Sequence, residues 1–134
     1  MATPTAGELL VAMLRAIERN DLAAIADLVH PDGTFETPFS PGAATITRGR
    51  EAVVDLLRGV GETMFAKVAF TVDRESPCAD PAVAMAEYSS QATLHNGGTY
   101  ANRYITVCEA RDGKIMLFRE YFDPAPIIAS LMPA

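Results

Sequence analysis

Glu120 is the residue whose position in this sequence most clearly points to chemistry. It stands between Phe118 and Phe122 in a segment, residues 115–122, whose alternating pattern predicts a β-strand. If the strand turns both phenylalanines toward a core, the carboxyl group between them enters an apolar environment that disfavours its charged form. Its pKa then either rises, which suits a general acid/base, or is held down by a cationic partner.

Two hairpin turns decide which side chains accompany Glu120. Asp112-Gly113 is typical of a two-residue turn, and such a turn pairs Glu120 with Ile105. A two-residue turn within Asn96-Gly97-Gly98 then adds Tyr88 to the same face. The inner face, which burial turns toward the helices, is predicted to consist of Ala84, Ala86, Tyr88, Ser90, Ala92, Leu94, Arg103, Ile105, Val107, Met116, Phe118, Glu120 and Phe122. The outer face is predicted to consist of Glu87, Ser89, Gln91, Thr93, Asn102, Tyr104, Thr106, Arg119, Tyr121 and Asp123.

Tyr88 and Arg103 are the polar companions that this register gives to Glu120, and three interpretations follow. In the first, Glu120 moves a proton while Tyr88 and Arg103 stabilise negative charge that develops on a substrate oxygen. In the second, Glu120 and Arg103 form a buried ion pair that fixes the geometry of the sheet. In the third, a longer loop or a bulge shifts the register and turns Glu120 toward solvent.

Small side chains on the predicted inner face leave room for a cavity. Alanine and serine recur over residues 82–92, so either helix side chains fill the space or a pocket for a small apolar metabolite remains. We expect such a ligand to contact Phe118, Phe122, Met116, Ile105, Phe35, Phe39, Arg48 and Glu36. For Glu36, an ordinary surface position is the alternative to a place at the pocket entrance.

The histidines and cysteines form no metal or redox motif in the sequence. His30 is expected at the end of a helix, where it either complements the helix dipole or lies at the pocket mouth. His95 is expected to be solvated in a hairpin loop. Cys78 and Cys108 are far apart and belong to no Cys-x-x-Cys pattern. With no phosphate loop or dinucleotide fingerprint either, we expect neither a metal nor a cofactor.

The elements that position these residues change along the chain from helices to strands, because the apolar period changes from 3.6 residues to 2. Helices are expected over residues 5–17, 22–29 and 53–60, with a short extended piece over 34–39. Strands are expected over residues 65–77, 82–94, 99–110 and 115–122. Pro31 with Gly33, and Gly59 with Gly61, are expected to end the second and third helices. The order predicts an α+β domain in which three N-terminal helices pack on a curved antiparallel sheet.

Composition and charge exclude several classes of partner. The chain has 134 residues, 49% of them apolar, with 11 basic and 17 acidic side chains and a net charge of −6. We expect a single domain over residues 1–134 with a core of its own. The acidic balance argues against binding to nucleic acid or to an anionic membrane surface. No apolar run approaches the ~18 residues of a membrane span, and no signal peptide is recognisable, so a cytoplasmic location is expected.

Three segments carry a resemblance to a known family. They are Thr47-Arg48-Gly49-Arg50-Glu51-Ala52-Val53, Tyr100-Ala101-Asn102-Arg103-Tyr104 with Asp112-Gly113-Lys114-Ile115, and Arg119-Glu120-Tyr121-Phe122-Asp123-Pro124. Together they resemble the SnoaL-like, NTF2-like (ketosteroid-isomerase-like) superfamily over nearly the whole chain. The last segment is similar to the closing strand of the phenazine-biosynthesis A/B branch.

The resemblance implies a cone-shaped fold with a deep pocket between sheet and helices, and a homodimer formed through the outer sheet face. Tyr104, Tyr121 and Arg119 fit such an outer face. It also implies an acid/base role for Glu120, which matches the glutamate of the branch's closing strand. Active members of that branch use a histidine before the third helix, where this sequence has Arg48.

Two functions are therefore predicted from different classes. The first is a small cofactor-independent enzyme, of the isomerase, polyketide-cyclase or hydratase/hydrolase type, that acts on an apolar cyclic metabolite in a hydrophobic pocket. Glu120 is its acid/base residue, with Tyr88 and Arg103 as helpers. The second is a non-catalytic module of the same fold that binds a small ligand or serves dimerisation. An open pocket beside Glu120 favours the enzyme, and a closed ion pair favours the module.

Overall fold

The computed structural model describes residues 2–41 and 45–131, and these residues form the predicted mixed α+β fold with a curved six-stranded sheet. The helices are α1 (Ala6–Glu18), α2 (Leu22–Leu28), α3 (Arg50–Thr63) and α4 (Ala125–Leu131). The strands are β1 (Val29–Glu36), β2 (Ile46–Arg48), β3 (Phe65–Pro77), β4 (Val83–Leu94), β5 (Thr99–Arg111) and β6 (Lys114–Phe122). The expectation of helices at the N-terminal end alone is wrong, because α4 follows the last strand.

Helix α1 begins as its sequence predicts. The Glu8 amide donates to Thr5 Oγ1 at 3.1 Å, and the Thr5 amide donates to Glu8 Oε1 at 3.0 Å, which completes a capping box. The apolar stripe that follows is fully buried at Leu10, Met13 and Leu14. This stripe packs α1 onto the sheet and forms the centre of the core.

Helices α2 and α3 do not end where their sequences suggest. Helix α2 ends at Leu28, so His30 lies in β1 rather than at a helix terminus. Helix α3 continues through both glycines that were expected to stop it. Gly61 is needed there for contact rather than for a turn, since a Cβ at this position would lie 2.8 Å from Asn20 Oδ1. The glycine thus allows α3 to approach the connection between α1 and α2 closely.

The strands are arranged in the order β2-β1-β6-β5-β4-β3. Strands β3 to β6 form the predicted antiparallel meander. Strand β1, however, pairs with β6 in parallel, and β2 adds an antiparallel edge strand that the sequence did not predict. The sheet is therefore mixed. Among the described residues, no helix is long and apolar enough to cross a membrane.

Neither hairpin keeps its predicted register. The β4–β5 pairs match neither placement of the two-residue turn, and the β5–β6 pairs match only next to their turn. Thr93 pairs with Thr99, so the β4–β5 connection is longer than a two-residue turn. The tight turn at Asp112-Gly113 is present, but a bulge with Met116 as its extra residue shifts all later β5–β6 pairs. Glu120 consequently pairs with Thr106 instead of Ile105.

The two register errors have opposite consequences for different strands. Each error reverses the predicted faces of β5 relative to one of its two neighbouring strands. Tyr104 and Thr106 are therefore buried on the inner face, while Arg103 and Ile105 are exposed on the outer face. Between β4 and β6 the two errors cancel. Tyr88 and Glu120 therefore share the inner face, as the sequence predicted.

Candidate active site

A cavity of about 280 Å³ lies between the inner face of the sheet and the helices. Its wall is mainly apolar, with Ile17 from α1, Leu57 and Val60 from α3, and Ile127 from α4. Six aromatic side chains also line it: Phe35, Phe65, Phe70, Tyr100, Tyr104 and Phe122. Hydroxyl groups of the β1–β2 connection, among them Thr37 and Ser40, border it as well. The volume and lining are typical of a pocket for a small organic molecule.

Glu120 lines this cavity from β6. Tyr88 Oη donates a hydrogen bond to Glu120 Oε2 at 2.5 Å. Tyr88 Oη also lies 2.7 Å from Thr106 Oγ1, and because its single proton goes to Glu120, Thr106 is the donor in that contact. Burial raises the pKa of Glu120 to about 7, against the lowering effect of the Tyr88 hydrogen bond. At neutral pH the carboxyl group is thus divided between its acid and base forms.

Tyr88 is held rigidly beneath Glu120. Its ring stacks on Tyr104 with centroids 4.9 Å apart and meets the edge of Phe70 at 5.7 Å. Burial, and next the charge of Glu120, raise the pKa of Tyr88 well above its ordinary value, so the hydroxyl stays protonated. Tyr88 is 1% exposed and does not line the cavity. It donates its hydrogen bond to Glu120 from behind the cavity wall.

A second group of hydroxyls, which the sequence analysis did not place in the site, lies on β4 and β5. Ser90 Oγ is 2.7 Å from Tyr104 Oη, and Tyr104 Oη donates to Tyr100 Oη at 3.4 Å. The Asn102 amide nitrogen also donates to Tyr100 Oη, at 2.7 Å. The wrong register had assigned Asn102 and Tyr104 to the outer face. The signal that was available is the even spacing of Tyr100, Asn102, Tyr104 and Thr106, which places four hydrogen-bonding side chains on one face.

Arg103 is not part of this site. It is exposed on the outer face, where it pairs with Ser89 across the β4–β5 ladder. Within the part of the chain that the structure describes, no lysine, arginine or histidine lines the cavity. The predicted ion pair between Glu120 and Arg103 is therefore wrong. The alternative that a shifted register turns Glu120 toward solvent is also wrong, because Glu120 keeps its place on the inner face.

The expected apolar contacts divide between the two faces. Phe35 and Phe122 line the cavity, and Phe118 is buried behind it, stacked on Phe35 with centroids 5.3 Å apart. Met116 is half-buried at the bulge and is not part of the wall. Phe39 and Ile105 belong to the outer side and are 57% and 39% exposed. These two residues do not line the inner cavity, and they border the outer hollow instead.

Glu36 and Arg48 also lie outside the cavity. Glu36 accepts a hydrogen bond from Arg119 Nε at 2.7 Å on the outer side of β1 and β6. Arg48 is exposed in β2, where its neighbour Thr47 lines the cavity instead. The position at which the related branch carries a histidine thus faces away from Glu120 in this chain. Glu36 takes the surface position that was its alternative.

Neither histidine reaches the cavity. His30 Nε2 lies 3.6 Å from Asp112 Oδ2, and His30 Nδ1 accepts from the Asp32 amide at 3.0 Å. His95 Nε2 is 2.7 Å from the carbonyl oxygen of Gly61. Glu120 is therefore the titratable carboxyl group of the cavity, with Tyr100 and Tyr104 as its phenolic neighbours.

The outer face carries a broader hollow of about 850 Å³. Its lining includes Phe39, Arg74, Glu87, Arg103 and Tyr121. Arg74 Nε and Glu87 Oε2 form a salt bridge of 3.2 Å there. The hollow is larger than the inner cavity, but its charged groups are paired or exposed. The inner cavity is the better candidate for chemistry because it combines enclosure with an ionisable group of shifted pKa.

Known proteins resemble this chain in sequence and in structure. The family model of the SnoaL-like domain matches residues 10–118. An uncharacterised PhzA/B-like protein from Pseudomonas aeruginosa is 38% identical over 122 residues, which cover 89% of this chain and 84% of that protein. A candidate isomerase from Bacillus subtilis has 26% identity and a TM-score of 0.78, with 92% of this chain and 90% of that one covered. An NTF2-like protein of unknown function from Burkholderia pseudomallei has 18% identity and a TM-score of 0.81, with 99% and 100% covered, which shows the fold alone.

Proposed function

Because this chain belongs to the SnoaL-like family, we propose that it is a small cofactor-independent enzyme. Its reaction in this proposal is a proton transfer on an apolar cyclic metabolite. Glu120 is the general acid/base in this proposal. The observation that carries it is a carboxyl group with a pKa of about 7 on the wall of an apolar cavity, where the described lining residues include no cationic side chain. A group that titrates near the working pH both accepts and returns a proton efficiently.

The chemistry that suits this site is proton abstraction next to a carbonyl group. The Glu120 carboxylate takes a proton from the α-carbon, the electron pair of the C–H bond moves into an enolate, and Glu120 becomes a neutral acid. The acid then returns the proton to the same carbon or to a conjugated one, and the second outcome is an isomerisation. Neither outcome oxidises or reduces the substrate, so the reaction needs no electron donor or acceptor.

Tyr88 and Thr106 support the proton transfer as positioning residues. The donor chain from Thr106 through Tyr88 to Glu120 fixes one carboxyl oxygen and leaves the other free for the ligand. The apolar wall limits water around the charged form of Glu120, which keeps its pKa high. Tyr88 takes a positioning role in this proposal because its hydroxyl proton is directed to Glu120 and its side chain does not line the cavity.

The rival function is a binding module without catalysis. Its structural signature, a closed ion pair without a cavity, differs from the open pocket beside Glu120. The pocket and the neutral hydrogen-bond partner of Glu120 therefore support the enzyme. The similarity of this chain to a candidate isomerase supports an isomerisation as the reaction class.

Hydrogen/deuterium exchange tests the proposal directly. We expect the protein to accelerate α-proton exchange in β-tetralone, or isomerisation of β,γ-cyclohexenone, in D2O buffer, followed by NMR. Glu120→Gln keeps the size and hydrogen bonding of the side chain but removes the base. Its rate is expected to fall by about 10²-fold to 10⁴-fold, the usual contribution of a general base.

Glu87→Gln is the matched control, because Glu87 is a glutamate on the outer face of β4. It is expected to keep the full rate. The assignment fails if Glu120→Gln exchanges protons as fast as the unaltered protein. It also fails if neither ketone reacts faster with the unaltered protein than with Glu120→Gln, while a thermal-shift assay shows that both bind; that pattern supports the binding module.

A homodimer through the outer sheet face remains a proposal. Phe39, Met85 and Ile105 are large apolar side chains that are exposed on that side. Burial of such side chains against a second copy removes apolar surface from water. Sedimentation of the unaltered protein and of an Ile105→Glu variant tests it, because a charge at the contact is expected to weaken the dimer.

A further inference from the structure

The hydroxyl group of Tyr100 has a proton that no described residue accepts in a hydrogen bond. Its oxygen accepts from Asn102 Nδ2 at 2.7 Å and from Tyr104 Oη at 3.4 Å, which uses both lone pairs. Its own proton has no acceptor among residues 2–41 and 45–131. Tyr100 is 4% exposed and lines the cavity, so this proton is not directed to bulk water.

Asn102 fixes the direction of that arrangement. Its amide nitrogen donates both to Tyr100 Oη and to the carbonyl oxygen of Asp123, at 2.7 and 2.8 Å. Its amide oxygen accepts from the backbone amide of Arg103 at 2.8 Å. Because every group of the Asn102 amide is used in this way, Asn102 cannot reverse and accept the proton of Tyr100.

Tyr104 and Ser90 continue the hydrogen-bonded chain from Tyr100 to β4. If Tyr104 donates to Tyr100, the short contact between Ser90 and Tyr104 has Ser90 as its donor. Phe65 stacks on the Tyr100 ring with centroids 5.6 Å apart and holds the ring in place. Burial raises the pKa of Tyr100, which keeps the hydroxyl in its donating form.

The two hydrogen-bonded chains of the sheet thus end at the cavity in groups of opposite kind. One chain of hydroxyls ends in Glu120, which accepts a proton, and the other ends in Tyr100, which offers one. We propose that Tyr100 donates a hydrogen bond to a carbonyl oxygen of the ligand, so that the substrate class is an uncharged cyclic ketone or enone. This inference rests on the proposed function, and it assigns to Tyr100 the stabilisation of the enolate oxygen.

A pair of ligands that differ in one oxygen tests the proposal without relying on turnover. β-Tetralone and tetralin have the same bicyclic frame, and only the ketone has an acceptor. We expect the unaltered protein to bind the ketone more tightly. Tyr100→Phe is expected to weaken binding of β-tetralone by about tenfold and of tetralin by less than about twofold, measured by calorimetry. Tyr121→Phe, a tyrosine of the outer face, is the matched control and is expected to change neither.

A spectroscopic readout separates a hydrogen bond from a change in shape. The carbonyl stretch of bound, ¹³C-labelled β-tetralone is expected at lower frequency in the unaltered protein than in Tyr100→Phe. The proposal is overturned if the unaltered protein does not prefer the ketone, if Tyr100→Phe weakens both ligands equally, or if the stretch does not move.

Glu120→Gln distinguishes the failure of this inference from that of the proposed function. It is expected to retain the preference for the ketone while losing proton exchange. If the unaltered protein prefers the ketone but does not exchange its protons, Tyr100 is kept as a hydrogen-bond donor to the ligand and the enzymatic role is refuted. If the unaltered protein exchanges protons but Tyr100→Phe does not change the carbonyl stretch, the role of Tyr100 as donor is refuted and the role of Glu120 as acid/base is kept.

Discussion

Two glutamates on neighbouring strands, Glu36 of β1 and Glu120 of β6, have opposite surroundings. Glu36 lies on the outer side of the sheet and is paired with the guanidinium of Arg119 at 2.7 Å. Glu120 follows Arg119 in sequence, so its side chain points to the inner face, where a neutral tyrosine is its partner. The same type of side chain thus has a guanidinium as its partner on one face and a neutral phenol on the other.

The difference shows which feature makes a carboxyl group useful for proton transfer. A cation beside a carboxylate favours its charged form, whereas burial with a phenol leaves the pKa high. Glu120 has its pKa raised to about 7 because burial outweighs the hydrogen bond from Tyr88. Each of the following predictions alters one side of this comparison.

The largest expected effect is on how stability depends on pH. Glu120 has a folded pKa of about 7 against an ordinary value of 4.5, so the folded protein binds this proton more tightly than the unfolded chain does. Between those two pH values the free energy of unfolding therefore falls as pH rises, and the contribution is constant above them. The full shift corresponds to about 3 kcal/mol, an upper bound because part of the carboxyl surface faces the cavity.

Chemical denaturation of the unaltered protein and of Glu120→Gln at a series of pH values measures this contribution. The glutamine variant is expected to gain stability relative to the unaltered protein as pH rises from about 4.5 to about 7. Glu87→Gln serves as the control for removing a carboxylate on the outer face of the sheet. If the difference in free energy of unfolding between the unaltered protein and Glu120→Gln is constant across that range, Glu120 does not have the raised pKa.

A smaller effect is expected from Tyr88→Phe, which removes the neutral partner of Glu120. The variant leaves Glu120 Oε2 and the Thr106 hydroxyl without their partner, at a cost of about 1–3 kcal/mol in the free energy of unfolding. Because the lost hydrogen bond had lowered the pKa of Glu120, that pKa is expected to rise further. The cost is expected to be larger at pH 8 than at pH 5, since the charged form needs the donor more.

Carbon-detected NMR of labelled glutamate measures the pKa of Glu120 in the Tyr88→Phe variant. Tyr121→Phe provides the comparison on the outer face, where the titration of Glu120 is expected to stay unchanged. A lower pKa in Tyr88→Phe contradicts the direction of the hydrogen bond described for Tyr88.

The inward direction of Glu120 was predictable because it depends on local sequence. The alternation of Phe118, Glu120 and Phe122 sets the face of β6 without reference to any other strand. The face of β5 was not predictable in the same way, because it depends on the length of one loop and on a bulge at Met116. A change of one residue in either moves Arg103 and Tyr104 to opposite faces, and turn composition does not resolve that difference.

Long-range pairing and short elements were also beyond the sequence pattern. Strand β2 has three residues, which is too few for a periodic pattern to be recognised, and no element was expected over residues 125–131, where α4 lies. The parallel pairing of β1 with β6 joins segments that are far apart in sequence. Tyr100 and Asn102 were visible as polar residues of a strand, but their role in the site follows from the corrected register alone.

The smallest expected effect concerns the charged partner on the outer face. The side chains of Arg119 and Glu36 are 34% and 20% exposed, so solvent and salt screen their attraction. Glu36→Gln is therefore expected to lower the free energy of unfolding by a few tenths to about 1 kcal/mol, and by less at high salt. Denaturation at low and high ionic strength measures this loss. A loss as large as that in Tyr88→Phe contradicts the comparison, because it makes the partly buried ion pair of the outer face as important to the fold as the buried hydroxyl chain.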